Sequence, residues 1–557
     1  MKTFERMKIS YIAKEKQNRR RAFNILCLLI FAVGMGIYMI VMPKYGDDVR
    51  FVEILRHWFN NQEIKYFTYG GNPFVAGVPW DEISHSWQSL YNGDNARLSN
   101  VFAMLFVILP KWIGSTLCWV CLLYTLRIEA QILGIKLEES FLAPLLVSGW
   151  VLCMQWSNHM GSLVFQFNYV IPGMLSFMLL RELYDIKNRR IWVTAVLALI
   201  LGVFHEGFSI PFISGLVVVL VLFRNKRDKK IFVALAGLIA GLLWILLAPS
   251  LGTKVNGTFP YSYIAGWSMA MMRFAKVFIC HPVIWLFIAI LFVGIIRKWN
   301  GINLRSPIIV FMLTSVLTCI PLAYFTTGEP RVAWFGDMIS VYGIIYIFKH
   351  HLSKASPKFI ISLRVLNLVM AAGMLLVLVI TDYCVIKTEK EFRKAISEFL
   401  VHPDRPVYND WLATYERKPW VNLSIFEKGS NEFETIAYPS LKDDDYRDNP
   451  MKGKIYFLPE ILRSYSVEES VCIPGEGKVR NFHGHLVIEA DPELEKMAEG
   501  LIVPMDFGWG VKPDTGVILI PFVSEKDGKR YFFVRIYHRQ FEHLVGNLKY
   551  VGRFPRE

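Results

Sequence analysis

Two adjacent aspartates, Asp47 and Asp48, follow a long apolar run in "MPKYGDDVRF". A carboxylate just outside lipid can act as a general base toward a hydroxyl, or can hold a divalent metal. The stretch also has a plainer use. "DDVRFVEILRHWF" puts Val52, Leu55, Trp58 and Phe59 on one helical face, so Asp47 can cap an interfacial helix with Asp48 in its first turn. The two uses are compatible, because a pair can divide the roles. If a cap accounts for Asp47, Asp48 is the sharper catalytic candidate. In "DEISHSW", helical spacing brings Asp81 and Glu82 onto the face of His85, a sparse metal-binding pattern that an ordinary polar helix also produces.

Arg97 stands where the chain re-enters an apolar run, and can either snorkel to headgroups or hold a phosphate. His205 and Glu206 sit between two apolar runs with almost no loop. Ionisable residues at such depth are costly and are functional candidates, and a plain polar turn is the alternative. Glu329 and Arg331 in "TTGEPRVAWFG" either pair with each other or leave the arginine for a lipid-linked phosphate. Lys254 and Arg273 in the preceding polar loop are assisting or merely interfacial cations. "HEG" is not the HExxH of zinc proteases, and no P-loop, Rossmann glycine signature, nucleophile elbow or CxxC pair stands in a suitable context. Chemistry driven by a cytoplasmic nucleotide is therefore not expected.

The elements that must position these residues are membrane spans. Of 557 residues, 54% are hydrophobic and only 19% charged, which points to a polytopic membrane protein instead of several soluble domains. Spans are expected near 22–42, 98–126, 140–156, 169–184, 191–205, 207–223, 231–248, 274–296, 307–325, 332–348 and 360–384. The first follows "KEKQNRRR" and reads as a retained signal-anchor, because it is long and lacks a small-x-small cleavage site. The span containing Pro110 is overlong. Splitting it into two crossings would move every later loop to the other side, so one overlong or re-entrant element is the better reading.

With the basic segment 1–21 in the cytoplasm, "RELYDIKNRR", "RNKRDKK", "RKWNGINLR" and "KHHLSKASPK" all fall on the cytoplasmic side, as the positive-inside rule requires. The net charge of +14 then reflects topology, and no nucleic-acid partner is needed. The opposite face receives the long loop 43–97, every candidate residue above, and the segment 385–557. That segment opens with the amphipathic "EKEFRKAISEFL" and closes on two β-rich runs around Asp527-Gly528, a hairpin signal, so it is expected to be a small extracytoplasmic α+β domain. Seven of the eight cysteines lie in or beside spans and only Cys472 does not, which supports no disulfide framework. The fold class is thus mainly α: about eleven spans over 22–384, followed by the α+β segment.

A basic cytoplasmic start, one span, an acidic pair in a long first outer loop and an arginine opening the second span together resemble the GT-C superfamily of membrane glycosyltransferases. More narrowly, "YGDDVRF", "NARLSN", "FNYVIPG", "FHEG" and "APSLG" look like an uncharacterised bacterial family of that architecture, over roughly residues 20–350. The resemblance implies a sugar moved from a polyprenyl-phosphate donor to a glycan or lipid acceptor on the outer face of the cytoplasmic membrane. It implies Asp47 or Asp48 at the reaction centre, and Asn168 and Tyr169 beside Arg97, His205, Glu206, Glu329, Arg331 and Lys254 in substrate and phosphate binding. A divalent metal is compatible with the superfamily and undecided here. A flippase or transporter of lipid-linked sugars and a non-catalytic envelope scaffold are the alternatives.

Overall fold

The computed structural model describes residues 2–42, 77–93, 96–154, 161–184, 190–223, 228–250, 277–299, 306–325, 330–352 and 356–401. It also describes isolated positions, Lys44, Asp48, Phe51 and Leu55 among them, and eight strand segments between 455 and 551. The chain divides into two compact units. One is Met1–Glu389 with Arg417–Phe426, and the other is Lys390–Glu416 with Glu427–Glu557.

The first unit is helical. The helices among the described residues are α1 (Lys2–Val41), α2 (Trp80–Gly93), α3 (Leu98–Val107), α4 (Lys111–Leu133), α5 (Ala143–Cys153), α6 (Leu163–Tyr184), α7 (Ile191–Phe204), α8 (Glu206–Leu222), α9 (Lys229–Leu246), α10 (Pro282–Ile296), α11 (Pro307–Phe325), α12 (Trp334–Leu352) and α13 (Pro357–Val401). Among the described residues, six helical stretches are long and apolar enough to cross a membrane: Gln17–Val41, Lys111–Leu133, Leu163–Tyr184, Lys229–Leu246, Pro307–Tyr324 and Pro357–Tyr383. The chain is therefore a mainly helical protein compatible with multiple membrane passes.

Several elements differ from their sequence-derived bounds, each for a local reason. The overlong run 98–126 breaks at Pro110, whose lack of an N–H and fixed φ suit it to the start of α4 and not to the interior of a helix. The ten residues of α3 rise only about 15 Å, half a hydrocarbon core. The expected span 274–296 is interrupted at His281, which is non-helical and precedes Pro282. The basic N-terminal segment continues α1 without a break, and α13 runs on from the last apolar stretch into "EKEFRKAISEFL".

Packing inside the bundle relies on close backbone approach. Gly202 on α7 faces α9, where a Cβ would lie 2.7 Å from the Leu238 carbonyl oxygen and 2.8 Å from Gly241 Cα. Small residues at both positions let the helices meet backbone to backbone, which supplies van der Waals contact where lipid provides no hydrophobic drive. At its far end, α4 stops at Gly134 with φ +61, and Ile135 N–H reaches back to the Ala130 carbonyl at 2.9 Å, a Schellman closure. The Lys349 ammonium from the end of α12 donates to the Leu133 carbonyl there. Helices α4 and α12 thus end together, and both begin at the other end of the bundle, where the candidate residues lie.

The described strands of the second unit are β1 (Ile455–Phe457), β2 (Ser470–Cys472), β3 (His485–Glu489), β4 (Gly500–Pro504), β5 (Gly516–Leu519), β6 (Phe522–Lys526), β7 (Lys529–Arg535) and β8 (Lys549–Val551), and they form two antiparallel sheets, of order β1-β5-β4-β8-β2 and β3-β7-β6. Strands β6 (Phe522–Lys526) and β7 (Lys529–Arg535) flank Asp527-Gly528 and pair with Lys526 opposite Lys529.

Candidate functional site

Asp48 is fully buried. Its carboxylate accepts hydrogen bonds from Ser162 Oγ at 2.7 Å, Leu163 N–H at 2.9 Å and Val164 N–H at 2.8 Å. The two N–H groups are the otherwise unbonded backbone donors at the start of α6, so Asp48 caps a helix more than 110 residues away, with a negative charge against the positive end of its dipole. Two buried lysines do the opposite job beside it. Lys44 Nζ donates to the Val107 carbonyl at 2.6 Å, where α3 ends, and Lys111 Nζ donates to Met42 O at 2.6 Å, just past the end of α1, and to Gly161 O. Each charge therefore sits on a helix terminus of opposite polarity. Glu389 lies within electrostatic reach of Lys111.

Burial pushes the Lys44 amine down to about 7, with the Asp48 carboxylate opposing that fall and the Lys111 charge adding to it. The folded protein thus releases this proton at lower pH than the unfolded chain, whose ordinary value is 10.5. Between about pH 7 and 10.5 the unfolded state binds more protons, so stability rises with pH across that window. Thermal unfolding of purified protein is expected to show this rise, and Lys44→Met is expected to flatten it. An unchanged slope in Lys44→Met would assign the effect elsewhere.

A second cluster joins three of the short motifs. Arg97 grips Glu206 through two hydrogen bonds, Nε to Oε2 at 2.8 Å and Nη2 to Oε1. The Ser99 hydroxyl lies on Asn168 Oδ1 and 3.0 Å from the Phe204 carbonyl, while Asn168 Nδ2 donates to Asn100 Oδ1 at 3.0 Å. "NARLSN", "FNYVIPG" and "FHEG" consequently close on one another across α3, α6 and the α7–α8 junction. Burial alone would raise the Glu206 carboxyl, but the Arg97 guanidinium, aided by His205 and by the hydrogen bonds, holds it well below the carboxylate range.

His205 occupies the break between α7 and α8 in extended backbone, and its Nδ1 accepts from Gly207 N–H at 3.0 Å, capping α8. Tyr169 packs against the imidazole with ring centroids 4.8 Å apart. Residues Gln166–Val170 form a π-helical stretch. This wider winding just before Pro172 relieves the clash between a proline ring and the carbonyl four residues earlier, and it turns Asn168 and Tyr169 toward α3 and α7.

The structure therefore brings together Arg97, Asn168, Tyr169, His205 and Glu206, and sets Asp48 at the head of α6, the helix that carries Asn168 and Tyr169. Asp47, Lys254, Arg273 and Glu329 lie outside the described residues, as does the side chain of Arg331, although the Pro330–Ala333 turn brings Val332 O near Gly207. Asp81 and Glu82 occupy the first turn of α2, where they complement its dipole. Among the described residues no three His, Cys, Asp or Glu side chains converge to hold a metal ion, Asp81, Glu82 and His85 included.

Sequence reasoning missed Lys44, Lys111, Ser99 and Asn100. Lys111 carried a readable signal, a lone cation interrupting an overlong apolar run. It also missed His281 and Asp337, whose Nδ1 and Oδ2 lie 2.7 Å apart with each side chain 1% exposed. Compared with known proteins, the chain matches no family model, no curated protein and no solved structure.

Proposed function

We propose that this chain is a GT-C-like glycosyltransferase of the bacterial cytoplasmic membrane, with about eleven passes, a cytoplasmic N-terminus and an extracytoplasmic α+β domain after residue 384. It transfers a sugar from a polyprenyl-phosphate donor to a glycan or lipid acceptor of the cell envelope. The observation that carries this reading is the convergence of "NARLSN", "FNYVIPG" and "FHEG" through Arg97–Glu206 and Ser99–Asn168–Asn100, at the same end of the bundle as Asp48.

In the reaction, a carboxylate takes the acceptor hydroxyl proton as its oxygen bonds to the anomeric carbon. The bond from that carbon to the phosphate oxygen breaks, and its electron pair leaves on polyprenyl phosphate. Asp48 already accepts three hydrogen bonds and has no exposed surface, which supports an anchoring role for it and leaves Asp47, the other carboxylate of the pair, as the base in this reading. Arg97, oriented by Glu206, neutralises the leaving phosphate, and His205, Asn168 and Tyr169 shape the pocket for the donor.

The test supplies purified protein with polyprenyl-phosphate sugars and measures released polyprenyl phosphate. Wild type is expected to release it, and Asp47→Asn to lose about 10²–10⁴-fold in rate, the usual weight of a general base. Undiminished turnover by Asp47→Asn would remove the base assignment. A second reading, transport of a lipid-linked sugar, is favoured by the buried His281–Asp337 pair at a helix break, a position typical of coupling sites in transporters.

A further inference from the structure

The His281–Asp337 pair is the site-end member of a longer series of buried polar groups along α12. Both partners are closed off from solvent, and His281 sits at the interruption preceding α10, so a potential ion pair is held on a broken helix inside the apolar bundle. Ionisable groups in such a setting are expensive and mark ion or proton paths.

Beyond Asp337 the series continues. Cys153 at the end of α5 lies within electrostatic reach of both Asp337 and Glu129. Glu129 on α4 is fully buried and accepts one hydrogen bond, from Trp150 Nε1 to Oε2 at 2.7 Å. Tyr342 on α12 is within reach of Glu129, Tyr184 and Tyr346. The rings of Tyr342 and Tyr346 are 6.4 Å apart, and those of Tyr346 and His350 are 4.2 Å apart. From Asp337 to His350 the helix rises about 20 Å, two thirds of a hydrocarbon core. Cys319 of α11 also lies beside Asp337.

Three atoms in this series have no protein hydrogen-bond partner among the described residues: Glu129 Oε1, Tyr342 Oη and Trp334 Nε1, all on fully buried side chains. An unmade buried hydrogen bond costs about 1–3 kcal/mol, and three in one column point to bridging water, which needs two to four polar partners and a polar lining. Trp334 joins the column to the candidate site, with its ring edge-on to Trp150 at 6.1 Å and 6.4 Å from Tyr169.

We propose that α12 lines a hydrated proton path through the bundle, with the His281–Asp337 pair at the site end and Glu129, Tyr342, Tyr346 and His350 as the relay to the opposite end. A proton bound at one end passes as successive O–H and N–H groups and waters hand on one proton and accept another. One proton is taken up on one side and one released on the other, with no redox change. This goes beyond the transferase reading and does not depend on it.

The full chain is reconstituted into phosphatidylethanolamine–phosphatidylglycerol vesicles with a trapped pH dye, and a potassium gradient with valinomycin drives proton entry. Wild type is expected to acidify the lumen several-fold faster than protein-free vesicles. Glu129→Gln and Tyr342→Phe are each expected to slow it about tenfold, the rate equivalent of one lost relay hydrogen bond. Tyr342→Phe removes only a hydroxyl without a protein partner, so it keeps the fold and decides the matter if Glu129→Gln does not assemble. Wild-type flux no faster than empty vesicles, or flux undiminished in either folded variant, overturns the proposal. Polyprenyl phosphate release from the same preparations is read separately, so loss of one activity is not mistaken for loss of the other.

Discussion

Asp48→Ala is expected to destabilise the protein by about 3–5 kcal/mol, because it strips the counter-charge from a buried cluster. Three donors at the start of α6 lose their acceptor, and Lys44 and Lys111 remain buried at helix ends. Asp48→Asn retains an acceptor oxygen but not the charge, and is expected to fall between wild type and Asp48→Ala. Adding Lys111→Met to Asp48→Ala should return part of the loss, because it removes a stranded cation along with its partner. Thermal or denaturant unfolding of the purified protein measures all four. A loss below about 1 kcal/mol in Asp48→Ala would mean that the carboxylate is not the keystone of the α1, α3 and α6 ends.

The second large effect concerns Arg97. Arg97→Ala leaves Glu206 without the guanidinium that holds its carboxyl low, and a cost of about 3 kcal/mol is expected, reduced in the Arg97→Ala, Glu206→Ala double variant. The pH dependence carries a specific sign. Glu206 has a folded value below its ordinary 4.5, so its contribution is fully present above that pH and is lost as pH falls through and below it. Wild type should therefore lose stability on acidification below about pH 4.5 more steeply than the double variant, and parallel acid profiles would contradict the pairing. In the proposed reaction Arg97→Ala also reduces release of polyprenyl phosphate. Arg97→Lys tests geometry, since an ammonium keeps the charge but cannot grip Glu206 along two parallel bonds.

The helical, membrane-compatible class was legible in the sequence because apolar runs of near-spanning length report their own environment. The polar punctuation was legible too: His205-Glu206 marked a real break, Pro110 a real interruption, and Asp527-Gly528 lies between two paired strands. The acidic pair was also recognisable as capping chemistry. What could not be read was the helix that Asp48 caps. Periodicity placed Asp47 at the head of its own segment, with Asp48 in the first turn, while Asp48 caps α6, whose donors lie beyond the four helices α2 to α5.

The same limit explains the other omissions. Lys44 and Lys111 look like ordinary interfacial lysines until the carbonyls of Val107, Met42 and Gly161 are brought to them. His281 and Asp337 are 56 positions apart, each a single polar residue beside apolar sequence. By itself the sequence determined which stretches are apolar and helical and where prolines and polar pairs punctuate them, because hydropathy and proline act over a few neighbouring residues. Only the tertiary structure decided which helix end each charge meets, since an ammonium over a distant carbonyl or a carboxylate over a distant amide is a long-range pairing fixed by how the helices pack.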